Sequence, residues 1–85
     1  MRLNELASRY IQKTERVFNE IKVADDPTPI DAKSVREVIE EAKRYMEDAK
    51  FYLDKKRFKT SLASVAYCEG LLDALRLLRL VEFSW

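Results

Sequence analysis

Apolar residues recur along this chain at helical spacing in three blocks. In the first, Leu3, Leu6, Ala7, Tyr10, Ile11, Thr14, Val17, Phe18 and Ile21 form one amphipathic stripe at about 100° per residue. The stripe predicts a helix over 4–24, with Asn4 as N-cap and Glu5 favourable in its first turn. Arg9, Lys13 and Arg16 line its outer side as a solvated face. In the second block, Val35, Val38, Ile39, Ala42, Tyr45, Met46, Ala49, Tyr52 and Leu53 predict a helix over 34–56. Ser34 and Glu37 have capping-box spacing, and Asp31 is an alternative cap for an earlier start. Outside lie Arg36–Glu40, Glu40–Arg44 and Arg44–Asp48, opposite charges four residues apart. Phe51 breaks the stripe and sits among charges.

The third block, predicted as a helix over 58–80, is the most apolar and contains no proline. Ala63, Ala66, Tyr67, Cys68, Gly70, Leu71, Ala74, Leu75, Leu77 and Leu78 fill an arc of roughly 200°, and a surface helix needs little more than about 100°. The expectation is that this arc packs inward. Its flank of Ala63, Ala66, Gly70 and Ala74 would let a second helix approach closely, and Gly70 is read as a packing glycine. The remaining face carries Leu62, Val65, Glu69, Leu72, Asp73 and Arg76. With Phe83 and Trp85 of the tail, it is the expected contact face for another chain.

Pro27 and Pro29, in the stretch DDPTPID, stop the first helix, and Lys55-Lys56-Arg57 form a short turn. The expected architecture is therefore all-α, a single up-down-up three-helix bundle with a short aromatic tail that folds back over one end or onto a partner. That order gathers Arg2, Lys55, Lys56, Arg57 and Lys59 at one end. Asp25, Asp26, Asp31 and the terminal carboxylate gather at the other.

Composition narrows the function. The 85 residues have net charge +1, which argues against a strongly electrostatic nucleic-acid binder. One cysteine fits a reducing cytoplasm, no run reaches the length of a membrane span, and the N-terminus does not read as a signal peptide. Charged residues at 36%, with no histidine, lean toward a thermophile. Without histidine, Ser/His and Cys/His catalysis, most zinc geometries and the Arg…His motif of the HEPN helical ribonucleases are absent. A carboxylate-only metal site would have to use Glu69 and Asp73 with Glu41 or Asp48, without the Glu-x-x-His of di-iron bundles. No catalytic residue, cofactor or metal is assigned. A second candidate patch is basic and aromatic: Lys50, Phe51, Lys55, Lys56, Arg57 and Lys59, with Phe58 beside them, the mix that single-strand binders use.

The run Ala42…Tyr45…Asp48-Ala49…Phe58…Ser61-Leu62-Ala63…Ala66-Tyr67-Cys68-Glu69-Gly70-Leu71-Leu72-Asp73-Ala74-Leu75…Leu78, closing on Val81-Glu82-Phe83…Trp85, resembles the archaeal family catalogued as domain of unknown function 357. The resemblance is fullest from Lys33 onward and most specific over Tyr67–Leu75. It implies a small three-helix bundle in an archaeal cytoplasm and no assigned activity. Members often have glycine near position 79, where this chain has Arg79, so the third helix has room to run on toward the tail. The expected function is non-enzymatic, a self-associating or partner-binding helical module; the alternative is an accessory nucleic-acid binder using Lys55–Lys59.

Overall fold

A computed structural model describes residues 1–25 and 29–85. The expected break at Pro27 and the contribution of Asp26 to the acidic end lie outside the described residues. Three helices run in order: α1 (Leu3–Glu20), α2 (Ala32–Asp54) and α3 (Phe58–Leu77). Two short strands, β1 (Lys22–Val23) and β2 (Val81–Glu82), pair antiparallel, with Lys22 opposite Glu82 and Val23 opposite Val81. The result is an all-α, antiparallel three-helix bundle measuring 44 × 19 × 17 Å.

The tightest seam is α2 against α3. The buried positions of α2 are Val35, Ile39, Ala42, Met46 and Ala49; those of α3 are Ser61, Val65, Cys68, Leu72 and Leu75. Both sets are spaced four, three, four, three, the heptad rhythm that keeps a seam facing its partner. Small residues at Ala42, Ala49, Ser61 and Cys68 let the helices approach closely. Ser61 is fully buried, and its hydroxyl donates to the Ala49 carbonyl at 2.7 Å, so no polar atom of its side chain is stranded. Ile11 and Val17 of α1 join this core. Leu75, Leu80 and Val81 close a second cluster with Val35 and Ile39 at the strand end.

The ends of the elements depart from expectation in five places. Helix α1 starts at Leu3 with Arg2 as N-cap and no side-chain cap bond, so Asn4 is not the cap. It stops at Glu20 rather than Ala24, because Ile21 turns extended and Lys22-Val23 pair with the tail. Helix α2 starts at Ala32: the Asp31 carboxylate accepts from the Ser34 amide at 2.7 Å, and this bond pulls the Asp31 pKa down. The cap is therefore Asp31, not the Ser34/Glu37 box.

The fourth departure is the end of α3, which stops at Leu77. Arg79 adopts φ 61°, its amide donates to the Arg76 carbonyl, and the Leu80 amide donates to the Leu75 carbonyl. Leu80 then packs with Leu75. This is a Schellman cap with arginine where glycine is usual. Helix α2 ends the same way, at Asp54 rather than Lys56, the fifth departure: Lys56 has φ 60°, its amide donates to the Leu53 carbonyl, and the Arg57 amide donates to the Tyr52 carbonyl.

Left-handed backbone costs a non-glycine residue about 1–2 kcal/mol, partly offset because glycine is freer when unfolded. Arg79→Gly and Lys56→Gly are each expected to raise stability by about 0.5 kcal/mol in urea unfolding. Thr14 is fully buried in α1 with its hydroxyl oxygen unpartnered. Thr14→Val removes that stranded group and is expected to raise stability by about 1 kcal/mol in the same measurement.

Candidate functional site

The inward heptad fixes which face of α3 looks outward, and it is rotated from the one the hydropathy wheel indicates: Cys68 and Leu75 of the expected inward arc are buried, but its alanine-rich flank is not. Val65 and Leu72, expected on a contact face, are 1% and 0% exposed and belong to the core. Leu62 is half-buried. Ala63, Ala66, Gly70 and Ala74, expected to meet a second helix, face solvent. A Cβ built on Gly70 would meet nothing within 4 Å. Tyr67, Leu77 and Leu78 share this outer face and are 54%, 69% and 63% exposed. The reason is that α3 is apolar on both sides, so hydropathy alone does not rank them.

The outer face runs from Ala63 to Leu78 without a charge; Lys59 and Arg79 stand at its two ends. Tyr67 stacks on Tyr45 of α2, ring centroids 4.2 Å apart. On the other side, Tyr10, Leu62, Val65, Ala66, Glu69, Gly70 and Asp73 line a groove of about 420 Å³ between α1 and α3. Exposed apolar groups in an uninterrupted face this long are unusual on a soluble monomer surface.

The remaining residues of the expected contact face are engaged within the chain. Glu69 pairs with Lys13 at 3.5 Å. Asp73 accepts from Arg76 at 2.8 Å and from the Trp85 indole N–H at 3.1 Å. These two donors, Arg76 first, hold the Asp73 carboxyl below its ordinary range. The tail therefore folds back along α1 and α3 as a strap. The Ser84 amide donates to Glu20, Arg16 donates to the Trp85 carbonyl, and the Phe83 and Trp85 rings meet edge to face at 5.0 Å. Lys13 lies 5.2 Å from the centre of the Trp85 ring.

The basic patch is partly assembled. Leu3 lies beside Lys56, Arg57, Phe58, Lys59 and Thr60 in a groove at the end of the bundle. Three of the patch's five cations are engaged, while Lys56 and Lys59 form no ion pair among the described residues: Lys50 pairs with Glu15 and Glu47, Lys55 sits over the Phe51 ring, and Arg57 sits over Tyr52. Phe51 packs edge to face with Tyr52, so it is not an isolated stacking platform. Glu41, one candidate metal ligand, pairs with Arg44. Among the described residues, no three carboxylate or thiol groups cluster to hold a metal. The Cys68 thiol is buried, and burial pushes its pKa up to about 12. Among the described residues, no helix is long and apolar enough to cross a membrane.

A family described as "Protein of unknown function (DUF357)" matches residues 9–81. The chain belongs to this family. The DUF357 match reaches back into α1, further than the resemblance from Lys33 onward, and contains the whole outer face of α3. The aromatic strap beyond Val81 lies past the matched segment. No curated protein and no solved structure matches the chain.

The strap gives a pH-dependent readout. Asp73 has a folded pKa below 3.8, so its contribution is fully present above that value and is lost as pH falls through the lower, folded one. Trp85 is the only tryptophan. Its emission is expected to shift to longer wavelength on acidification below about pH 4, and at neutral pH in Asp73→Ala. Unchanged emission in both would mean that the strap does not depend on this carboxylate.

Proposed function

We propose that the protein is a non-catalytic, self-associating module whose working surface is the outer face of α3, and whose partner is a second copy of the same chain. One observation carries the reading: a continuous uncharged face, with Tyr67, Leu77 and Leu78 more than half exposed, that no element of the chain covers among the described residues. Association would remove that surface from water at about 25 cal/mol per Å² before the costs of binding.

The rim supports the same reading. Tyr10 and Tyr45 border the face, and tyrosine is enriched where one side of a ring must be dry and its hydroxyl wet. The basic end and the tail are less suited, because Lys50, Lys55, Arg57 and the rings of Phe51, Phe83 and Trp85 already make contacts within the chain. A buried, free Cys68 fits a reducing compartment such as a cytoplasm.

Sedimentation equilibrium over a wide concentration range tests the proposal. The wild type is expected to fit a monomer–dimer equilibrium. Leu77→Lys, on an exposed position that the fold does not need, is expected to remain monomeric with unchanged helicity. A wild type that stays monomeric at submillimolar concentration would overturn the reading.

A further inference from the structure

The outer face of α3 has a centre. Gly70 stands midway along it, with Ala66 and Ala74 one turn away on either side and Ala63 and Leu77 two turns away. A glycine inside a helix costs about 1 kcal/mol relative to alanine. Nothing among the described residues requires it, since a Cβ there would meet no neighbour within 4 Å. The glycine makes sense if another backbone comes close at that point.

Resting on the self-association above, we infer that two copies pair through antiparallel α3 helices crossing at Gly70. In that arrangement, residues equally far before and after position 70 face each other. Ala66 meets Ala74 of the second copy. Leu77, about 10 Å from the crossing, meets Ala63 of the second copy. The groove where Tyr10, Leu62 and Ala66 lie beside Glu69 and Asp73 opens on the same side, and its apolar part receives the Leu77 side chain. At Leu77 bulk is thus set against a small residue, while Tyr67 meets Asp73 and Leu78 meets Leu62 of the second copy. A parallel pairing would instead set Leu77 and Leu78 against their own copies and leave the Ala63 end gaping.

Charge decides in the same direction. One end of the bundle carries Arg2, Lys55, Lys56, Arg57 and Lys59, against Glu5 and Asp54. The other carries Glu20, Asp25, Asp31 and Glu82 along with Lys22, Lys33, Arg36 and Arg79. Parallel pairing places two cationic ends side by side, which like-charge repulsion disfavours. Antiparallel pairing sets the cationic end beside the mixed, acid-containing end and opposes the helix dipoles. By the same count Lys59 falls opposite Val81 and Arg79 opposite Ser61, so no two like charges of α3 come face to face.

Cysteine pairs read out the geometry, with Cys68 buried and inert as the background. With a short bismaleimide, a mixture of Ala66→Cys and Ala74→Cys chains is expected to cross-link to each other, while Ala74→Cys alone is not. Gly70→Ala is expected to raise the thermal midpoint of the isolated chain yet weaken dimerisation by about tenfold, since two added methyls meet at the crossing. Dimers in which Ala74→Cys links efficiently to itself would overturn the antiparallel arrangement and leave self-association standing. Dimerisation unaffected by Gly70→Ala would overturn the crossing at Gly70. A wild type monomeric by sedimentation would remove both.

Discussion

The seam between α2 and α3 is the constraint from which the remaining architecture follows. Its heptad rhythm uses Ser61, Val65, Cys68, Leu72 and Leu75 against Val35, Ile39, Ala42, Met46 and Ala49. The small members let the helix backbones come near enough for the Ser61 hydroxyl to reach the Ala49 carbonyl. Once that face of α3 is spent, its orientation is fixed to within a fraction of a turn. The opposite, alanine-rich face must then look outward, whatever its hydropathy. Helix α1 adds Ile11 and Val17 to the core and is held across the top by Lys13–Glu69 and Lys50–Glu15. Those ion pairs are largely solvated and contribute little energy; they set register more than stability.

The turns follow from the same seam. To bring α3 back along α2, the chain must reverse within Lys55–Arg57, and it does so by placing Lys56 in the left-handed region. Arg79 repeats the device at the far end and aims Leu80 at Leu75. That reversal delivers Val81 and Glu82 to Lys22 and Val23, which in turn ends α1 early. A single strained residue thus determines both where α3 stops and where α1 stops. From the short ladder, the tail has one open course, along the α1–α3 side, where Asp73 gathers Arg76 and the Trp85 indole.

The three helices and their order were legible because α1 and α2 each have one apolar side. The inward face of α3 was not, for a physical reason. Ser61 and Cys68 are small and weakly apolar, so the buried side scores no higher than the outer side carrying Tyr67, Leu77 and Leu78. The usable signal was spacing rather than hydropathy: 61, 65, 68, 72 and 75 continue the rhythm of 35, 39, 42, 46 and 49. The Asp31 cap was visible as an alternative to Ser34, since both residues precede the second stripe. The end of α3 was not visible, because arginine gives no sign that a left-handed residue is needed. The strap was visible only as an aromatic tail; its landing place depends on Asp73 and Glu20, which are distant in sequence.

The wheel failed at α3 because the helix answers to two different demands. Its inner side is shaped by a neighbour in the same chain, and each small residue there matches a close contact, as Ser61 matches Ala49. Its outer side has the same grain of small residues and no neighbour to match. If solvent were its final environment, charge would lower the risk of aggregation and alanine would be the better helix former at position 70. Neither is present on the outer side, whose neighbours Glu69, Asp73 and Arg76 lie toward α1 and the tail. Surface glycines are ordinary where a turn needs them, but Gly70 has helical backbone and sits in mid-helix, so conformational freedom does not explain it. On the proposed self-association, what separates the two sides of α3 is not their chemistry but whether the matching surface lies in this chain. On that proposal, the outer side would become an interface by the same physical standard that identifies the inner one.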